Sequence, residues 1–279
     1  MSELRVTVRE ALAQSGLMPL DAQVLLAHVL GRDRAWLVAH ATDGLDASAA
    51  QPFFDLARRR RDGEPIAYLV GRREFWGLAL DVTPDVLIPR PETETLVEVG
   101  LELLGASPAP RILDLGTGSG AIALALARER PGANVLAVDA SAAALGVAQR
   151  NAARLGITNV RFAASDWFAD VPADAGPFDL IVANPPYIAS ADPHLREGDL
   201  RHEPAAALVG GADGLAALRT IVDGASAHLR AAAHLAVEHG HDQAEAVAAL
   251  LRGAGFVAIG ARRDLAGIAR VAFGRAPGA

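Results

Sequence analysis

From Arg111 to Phe273 the chain alternates short apolar runs with helical ones, and no other feature limits the fold as strongly. Arg111-Ile112-Leu113-Asp114-Leu115 reads as a buried strand, Gly116-Thr117-Gly118-Ser119-Gly120 as a glycine loop, and Ala121–Arg130 as the helix it opens. Further strands are expected at Asn134–Val138, Val160–Phe162, Pro177–Ala183, Ala233–Glu238, Val257–Ala261 and Ile268–Phe273. Between them, Ser141–Gly156, Leu215–Leu229 and Gln243–Gly253 have helical spacing. In such runs as Leu180-Ile181-Val182 apolar residues follow one another without alternation, as in strands covered on both faces. Strand and helix in turn build a parallel, doubly wound sheet, which binds its ligands at the carboxyl ends of the strands.

The chain before this region reads differently. Val6, Ala11 and Leu12, then Ala22, Leu25, Leu26, Val29 and Leu30, fall at helical spacing. Asp21 is a candidate cap for the second helix and Gly31 its stop. A third helix covers Arg34–Ala39, with Trp36 and Leu37 as core candidates, and a fourth Ala47–Arg61. The fourth ends in Arg58-Arg59-Arg60-Arg61, read as a solvated helix end favoured by the macrodipole, with a partner-binding patch as the alternative. Residues 1–73 are thus expected to form a small helical docking domain. Glu74–Val82 suggests a hairpin with turn residues at Gly77 and Pro84, within a linker spanning 74–90, before a catalytic domain at 91–279. Leu87-Ile88-Pro89-Arg90-Pro91-Glu92-Thr93-Glu94 is a rigid charged loop leading into a helix at Thr95–Leu104. It reads either as a site wall or as a plain linker.

Composition removes several classes. The chain has 279 residues, 51% of them hydrophobic, enough for a substantial core. It has no cysteine, so disulfides and thiolate metal sites are excluded. No apolar run approaches the ~20 residues that span a bilayer, and Met1–Arg5 lacks a leader's apolar core. A cytoplasmic protein without a membrane partner is expected. The net charge of −7 argues against a protein whose main task is gripping a nucleic-acid backbone.

Chemistry concentrates at three places. Asn184-Pro185-Pro186-Tyr187 ends the Pro177–Ala183 strand, because neither proline can extend a ladder and each restricts its predecessor. The Asn184 side-chain carbonyl and the Pro185 backbone carbonyl are two acceptors, and the Tyr187 ring a wall or stacking face, suited to a planar amino group. In the glycine loop, Gly116, Gly118 and Gly120 allow positive φ and close approach of a ligand to backbone. Asp139, about 20 residues downstream, is placed to accept from ribose hydroxyls. The loop alone fits either a nicotinamide cofactor or S-adenosylmethionine. Asp114 in its lead-in attracts a cationic methionine moiety and repels a pyrophosphate, and together with the Asn184 site favours the sulfonium. In Ser165-Asp166-Trp167, Asp166 is a candidate acceptor for an adenine amino group and Trp167 a flank for the purine. His239-Gly240-His241 lacks a further ligand cluster and reads as a loop, and no metal is expected.

Gly-Glu-Pro-Ile-Ala-Tyr-Leu at 63–69, Leu-Ile-Pro-Arg-Pro-Glu-Thr-Glu at 87–94, Leu-Asp-Leu-Gly-Thr-Gly-Ser-Gly at 113–120 and Asn-Pro-Pro-Tyr at 184–187 occur in order. Glu203-Pro204, Asp264-Leu265 and Arg270-Val271 follow. With these motifs the chain resembles the PrmC (HemK) family of protein-glutamine N5-methyltransferases. The proline-flanked Arg90 loop beside a helical N-terminal region is the distinguishing part. His202, where the family often has an aromatic residue, departs from the pattern. The resemblance implies a class I S-adenosylmethionine-dependent methyltransferase fold, with a mostly parallel seven-stranded sheet. It implies a monomer that methylates the glutamine of the Gly-Gly-Gln motif in class I peptide chain release factors and yields S-adenosyl-L-homocysteine. Asn184, Pro185 and Tyr187 would be catalytic. Asp114, Gly116, Thr117, Gly118, Ser119, Gly120, Asp139, Asp166, Trp167 and Asn184 would hold the cofactor. Asn184, Pro185, Pro186, Tyr187, Arg90 and Glu92 would hold the substrate, and Glu203 is the nominated base. A DNA or RNA amino-methyltransferase would share the tetrapeptide but needs a basic recognition region. A non-catalytic cofactor-binding module would not need Asn184.

Overall fold

In the computed structural model, which describes residues 6–278, the chain divides into two units. One is the chain up to Arg72 together with Arg196–His202. The other is Arg73–Leu195 with the chain from Glu203 onward. Met1–Arg5, read above for a leader, lies outside the described residues.

The first unit is helical: α1 Val8–Gln14, α2 Pro19–Leu30, α3 Arg34–Ala39, α4 Ala47–Arg61 and α5 Ile66–Val70. Thr7 and Glu10 form a reciprocal capping box on α1, and Asp33 accepts from Trp36 N at 2.7 Å to start α3. Gly31, at φ 62°, ends α2 in the left-handed region. Val8, Leu25, Leu26, Leu37, Phe53 and Leu69 make its core. Trp36 is half-buried, packs against this core as expected, and stacks on His40.

Two expectations change here. Asp21 does not cap α2, since Met18 is the N-cap, Pro19 takes the first helical position, and Asp21 falls inside the first turn. The arginine run is solvated at Arg58, Arg59 and Arg61, which are exposed, but each of the four also meets a partner. Arg60 Nε meets Asp21 Oδ2 at 2.8 Å and its Nη1 meets Asp199 Oδ1 at 2.8 Å. Arg59 pairs with Glu64, Arg61 donates to the Ser15 carbonyl, and Arg58 lies 3.7 Å from Asp55. Apart from Asp55, which lies one turn back on the same helix, these partners are distant or follow the helix, so the run's periodicity could not reveal them. The sequence reading also left out α5.

The second unit begins with a hairpin, β1 Arg72–Phe75 and β2 Leu78–Asp81. Its two-residue turn places Trp76 and Gly77 at φ 52° and 65°, both positive as the twist of a tight hairpin demands. Trp76 N donates to Glu94 Oε1 at 2.7 Å and Asp81 pairs with Arg154, so the hairpin is tied to the helical layer. A 3₁₀ turn at Pro91–Thr93 leads into α6 Glu94–Leu104.

Then come β3 Arg111–Leu115, α7 Ala121–Glu129, β4 Asn134–Asp139, α8 Ala142–Leu155, β5 Val160–Ala164 and β6 Phe178–Ala183. After α9 Ala205–Leu208 and α10 Ala216–Ala225 follow β7 Leu229–Glu238, α11 Ala244–Gly253, β8 Val257–Arg263 and β9 Ala269–Arg275. The seven strands lie in the order β5-β4-β3-β6-β7-β9-β8, parallel except for β9, which runs against both its neighbours. Ile112, Val135, Leu180 and Val182 turn toward α6 and α7, while Leu113, Leu136, Ile181 and Leu235 turn toward α10 and α11. Both faces are therefore covered, which is why the strands read as unbroken apolar runs. One boundary moved substantially. α10 stops at Ala225 and Leu229, expected to end that helix, opens β7 by pairing with Phe178. Chain order reverses between β3 and β6, the place where an open sheet splays its connections apart and leaves a crevice.

Candidate active site

A cavity of about 270 Å³ opens at this crevice, and all of its walls belong to the second unit. Its floor is the glycine loop. Gly116 N and Thr117 N both donate to the Val138 carbonyl at 2.9 Å, so β3 and β4 share the turn. Gly118 N donates to Asp139 Oδ2 at 2.9 Å and Ser141 N to Asp139 Oδ1 at 2.8 Å. Asp139 thus ends β4 with a fixed carboxylate that lines the cavity and has acceptor capacity left on both oxygens. Gly120, at φ 85°, admits no side chain, as a Cβ there would sit 3.1 Å from Leu124 and 3.2 Å from Ala148.

Trp167 and Asp166 line the same cavity. Trp167 takes the left-handed region at φ 51°, and its ring lies where a Cβ on Gly116 would come within 3.4 Å. Ser165 holds this unusual turn by donating to the Trp167 carbonyl at 2.8 Å and accepting from Asp170 N at 3.0 Å. Ser165 was not singled out in the sequence, where it is one serine among many.

Asn184, on the tip of β6, and Pro186 complete the wall together with Arg90 and Thr93. Asn184 Nδ2 donates to Thr93 Oγ1 at 3.2 Å, which leaves Oδ1 as the free end of the amide. Arg90 pairs with the buried Glu203, whose other oxygen accepts from Ile88 N at 3.0 Å. The proline-flanked loop is therefore a site wall, pinned from behind by Glu203.

Several expected site residues stand elsewhere. Glu203 is fully committed to this tie and does not line the cavity, so its nomination as a base is withdrawn. Pro185 is buried, Glu92 is exposed on the 3₁₀ turn, and neither lines the cavity. Tyr187 does not form a wall. Its ring packs under the sheet and its hydroxyl donates to Glu238 Oε1 at 3.3 Å. Asp114 is wholly buried behind the loop, with Oδ2 accepting from Thr117 Oγ1 at 2.6 Å and Ala123 N at 3.2 Å. Its Oδ1 has no partner, and burial raises its pKa to about 7. Among the described residues no cluster could hold a metal ion.

Residues 3–71 match the model of the PrmC N-terminal domain and residues 106–210 that of a methyltransferase domain. A release factor glutamine methyltransferase of Burkholderia pseudomallei is 53% identical over 279 residues, covering 98% of this chain and 97% of that protein. One of Bordetella pertussis is 54% identical over 267 residues, covering 96% and 98%. The crystal structure of a methyltransferase from Pyrococcus furiosus shares the fold at a TM-score of 0.54 and 18% identity, covering 80% of this chain and 98% of its own. The sheet order, the glycine loop beneath the crevice and identity above 50% over nearly the full length of these relatives agree: the protein is a methyltransferase of class I fold and belongs to the release factor glutamine methyltransferase family.

Proposed function

We propose that the protein uses S-adenosylmethionine to methylate the side-chain amide nitrogen of the glutamine in the Gly-Gly-Gln motif of class I peptide chain release factors. The observation that carries this reading is Asn184, rigid at a central strand end, its amide nitrogen engaged by Thr93 and its oxygen free beside the glycine loop. The names of the curated relatives supply the substrate class.

The cavity's residues suit the cofactor. Asp139 offers acceptors for two ribose hydroxyls, Trp167 a flat face for a purine, and Gly116 and Gly118 bare backbone. The unpaired Oδ1 of Asp114 adds a buried acceptor behind the loop. When bound, S-adenosylmethionine supplies an electrophilic methyl group and leaves as S-adenosyl-L-homocysteine.

The protein's own contribution is acceptor geometry. An amide nitrogen is a poor nucleophile because its lone pair is conjugated, as the ~18–20 kcal/mol rotation barrier of an amide shows. Hydrogen bonds of ~1–3 kcal/mol from the substrate amide to Asn184 Oδ1 do not undo that conjugation. They favour the pyramidal nitrogen of the transition state. The methylated nitrogen is acidic and gives up its proton to water, so no base is required once Glu203 is set aside.

The helical unit is the docking element for the protein substrate. A chain lacking residues 1–73 is expected to bind cofactor and methylate release factor slowly. No described helix is long and apolar enough to cross a membrane. We place the enzyme in the cytoplasm with its substrate, as a monomer acting on protein rather than nucleic acid. The test is transfer of labelled methyl from S-adenosylmethionine to purified release factor, to the same factor with its Gly-Gly-Gln glutamine changed to alanine, and to RNA and DNA. Label should enter only the first. Label in nucleic acid, or none in the factor, overturns the reading.

A further inference from the structure

Thr93 occupies the N-cap of α6, where a threonine hydroxyl ordinarily accepts from a helix amide, yet it makes no such bond. Its hydroxyl faces the other way. It accepts from Asn184 Nδ2 at 3.2 Å and lies near enough to Glu238, the last residue of β7, to favour that group's ionised form. Glu238 is 1% exposed, and apart from Thr93 its polar neighbour is the Tyr187 hydroxyl, while Oε2 is left without a partner. Nothing in the proposed reaction uses this acid.

We propose that Thr93 and Glu238 are a positioning pair that decides which end of the Asn184 amide faces the cavity. This inference rests on Asn184 being the acceptor for the substrate amide. The logic is one of donors and acceptors. An ionised carboxylate accepts only, so in this pairing Thr93 turns its single hydroxyl proton toward Glu238. The Thr93 oxygen can then only accept from Asn184, which fixes the NH₂ group inward and Oδ1 outward. A protonated Glu238 removes the constraint. It can donate to Thr93, Thr93 can donate to Asn184 Oδ1, and the amide can turn its NH₂ group toward the substrate, where it repels the N–H groups it should bind.

The surroundings allow such titration. Burial is the largest influence and pushes the Glu238 carboxyl up to about 7. Thr93, Tyr187 and the positive charge of Arg270 on β9 oppose that rise, and the charge of Glu92 on the 3₁₀ turn adds to it. His239, next in the chain, is itself held neutral by burial. Glu94, beside Thr93, is turned away to the Trp76 amide.

Two measurements test the pair. In the first, Thr93→Val removes the hydroxyl at nearly constant shape and Thr93→Ser keeps it. Thr93→Val should lower kcat about 10²-fold, the scale of a misplaced group near the reaction. KM and calorimetric affinity for S-adenosylmethionine should stay close to the parent values, and Thr93→Ser should recover most of kcat. A Thr93→Val enzyme at parental kcat, or a Thr93→Ser enzyme as slow as Thr93→Val, overturns the proposal. The second needs no substrate. The chain has only four asparagines, Asn134, Asn151, Asn159 and Asn184, so the Asn184 side-chain amide is resolvable by NMR in protein labelled with ¹⁵N-asparagine. Its NH₂ signals should titrate near neutral pH in the parent and not in Glu238→Gln. A parent signal that ignores pH, or one that titrates equally in Glu238→Gln, overturns the pair. A parent that fails to methylate release factor overturns the functional reading alone, because the NMR measurement still decides the pair.

Discussion

The two units treat their polar groups in opposite ways. In the helical unit the charges lie at or near the surface, close to partners. Thr7 and Glu10 cap each other, Asp33 caps α3, and Arg60 is shared between Asp21 and Asp199. In the sheet unit acids are buried deep behind the cavity and left incompletely paired. Asp114 Oδ1, Glu238 Oε2 and His239 Nε2 lack hydrogen-bond partners among the described residues, and all three lie toward the carboxyl end of the sheet. Buried polar atoms are normally paired because leaving one unmade costs ~1–3 kcal/mol. Their clustering beside one crevice indicates a place shaped for chemistry rather than for maximal stability.

The sharpest way to break the contrast is at Asn184. Asn184→Ala should lower the single-turnover rate about 10²–10³-fold, by analogy with loss of one oxyanion-hole donor, while calorimetric cofactor affinity is retained. Asn184→Asp, which keeps an acceptor, should lose less. An alanine enzyme as fast as the parent would remove the acceptor account of the site.

The buried acids come next. Their native pKa values, raised to about 7 from 3.8 for Asp114 and 4.5 for Glu238, mean that the folded chain holds protons the unfolded chain has already released. The stability these two acids contribute is therefore fully present in acid and is lost as pH rises from about 4.5 to 7. For Glu238 the fall is about 3 kcal/mol. Urea unfolding at pH 5 and pH 8 should show Glu238→Gln losing less between the two than the parent does. Equal losses would mean that Glu238 is not the strained acid described.

Asp139→Ala, which on the proposed reading removes the acceptor for two ribose hydroxyls, should weaken calorimetric cofactor binding by ~1–3 kcal/mol. Unchanged affinity would take Asp139 out of the site. The smallest effect belongs to the helical unit. Arg60→Ala, which leaves Asp21 and Asp199 without their shared cation, should cost ~1 kcal/mol of stability, and the exposed Arg58→Ala close to nothing. A reversal of that order in thermal unfolding would mean that the arginine run is not ordered by its partners.

What was legible beforehand follows the range of the interactions involved. The strand Arg111–Leu115 and the helices Arg34–Ala39 and Ala47–Arg61 were read to the residue, because their patterns are local and uninterrupted. The glycine loop, Asp139 and Asn184 were legible as strand-end residues, and the structure brings them to one cavity. Tyr187 was misread since an aromatic beside two prolines looks like a wall, whereas Glu238, 51 positions away, draws its hydroxyl inward. Glu203 was misread for the same reason, its partner Arg90 lying 113 positions earlier. Thr93 was in view throughout, inside a quoted motif, but nothing local says that a helix-capping residue will turn its back on its helix.

The placing of β9 has a consequence for how the protein is made. Residues of β7 are interior only because β9 and, beyond it, β8 are laid against that strand from the end of the chain. Until Val257–Arg275 has left the ribosome, β7 is a ten-residue outer strand presenting Leu235, Ala236 and Val237 along an open ladder. Such an edge is a template for pairing with another chain. Synthesis halted before Val257 should therefore yield not a smaller working enzyme but a sticky one, with its cofactor loop already formed and its sheet still open to neighbours.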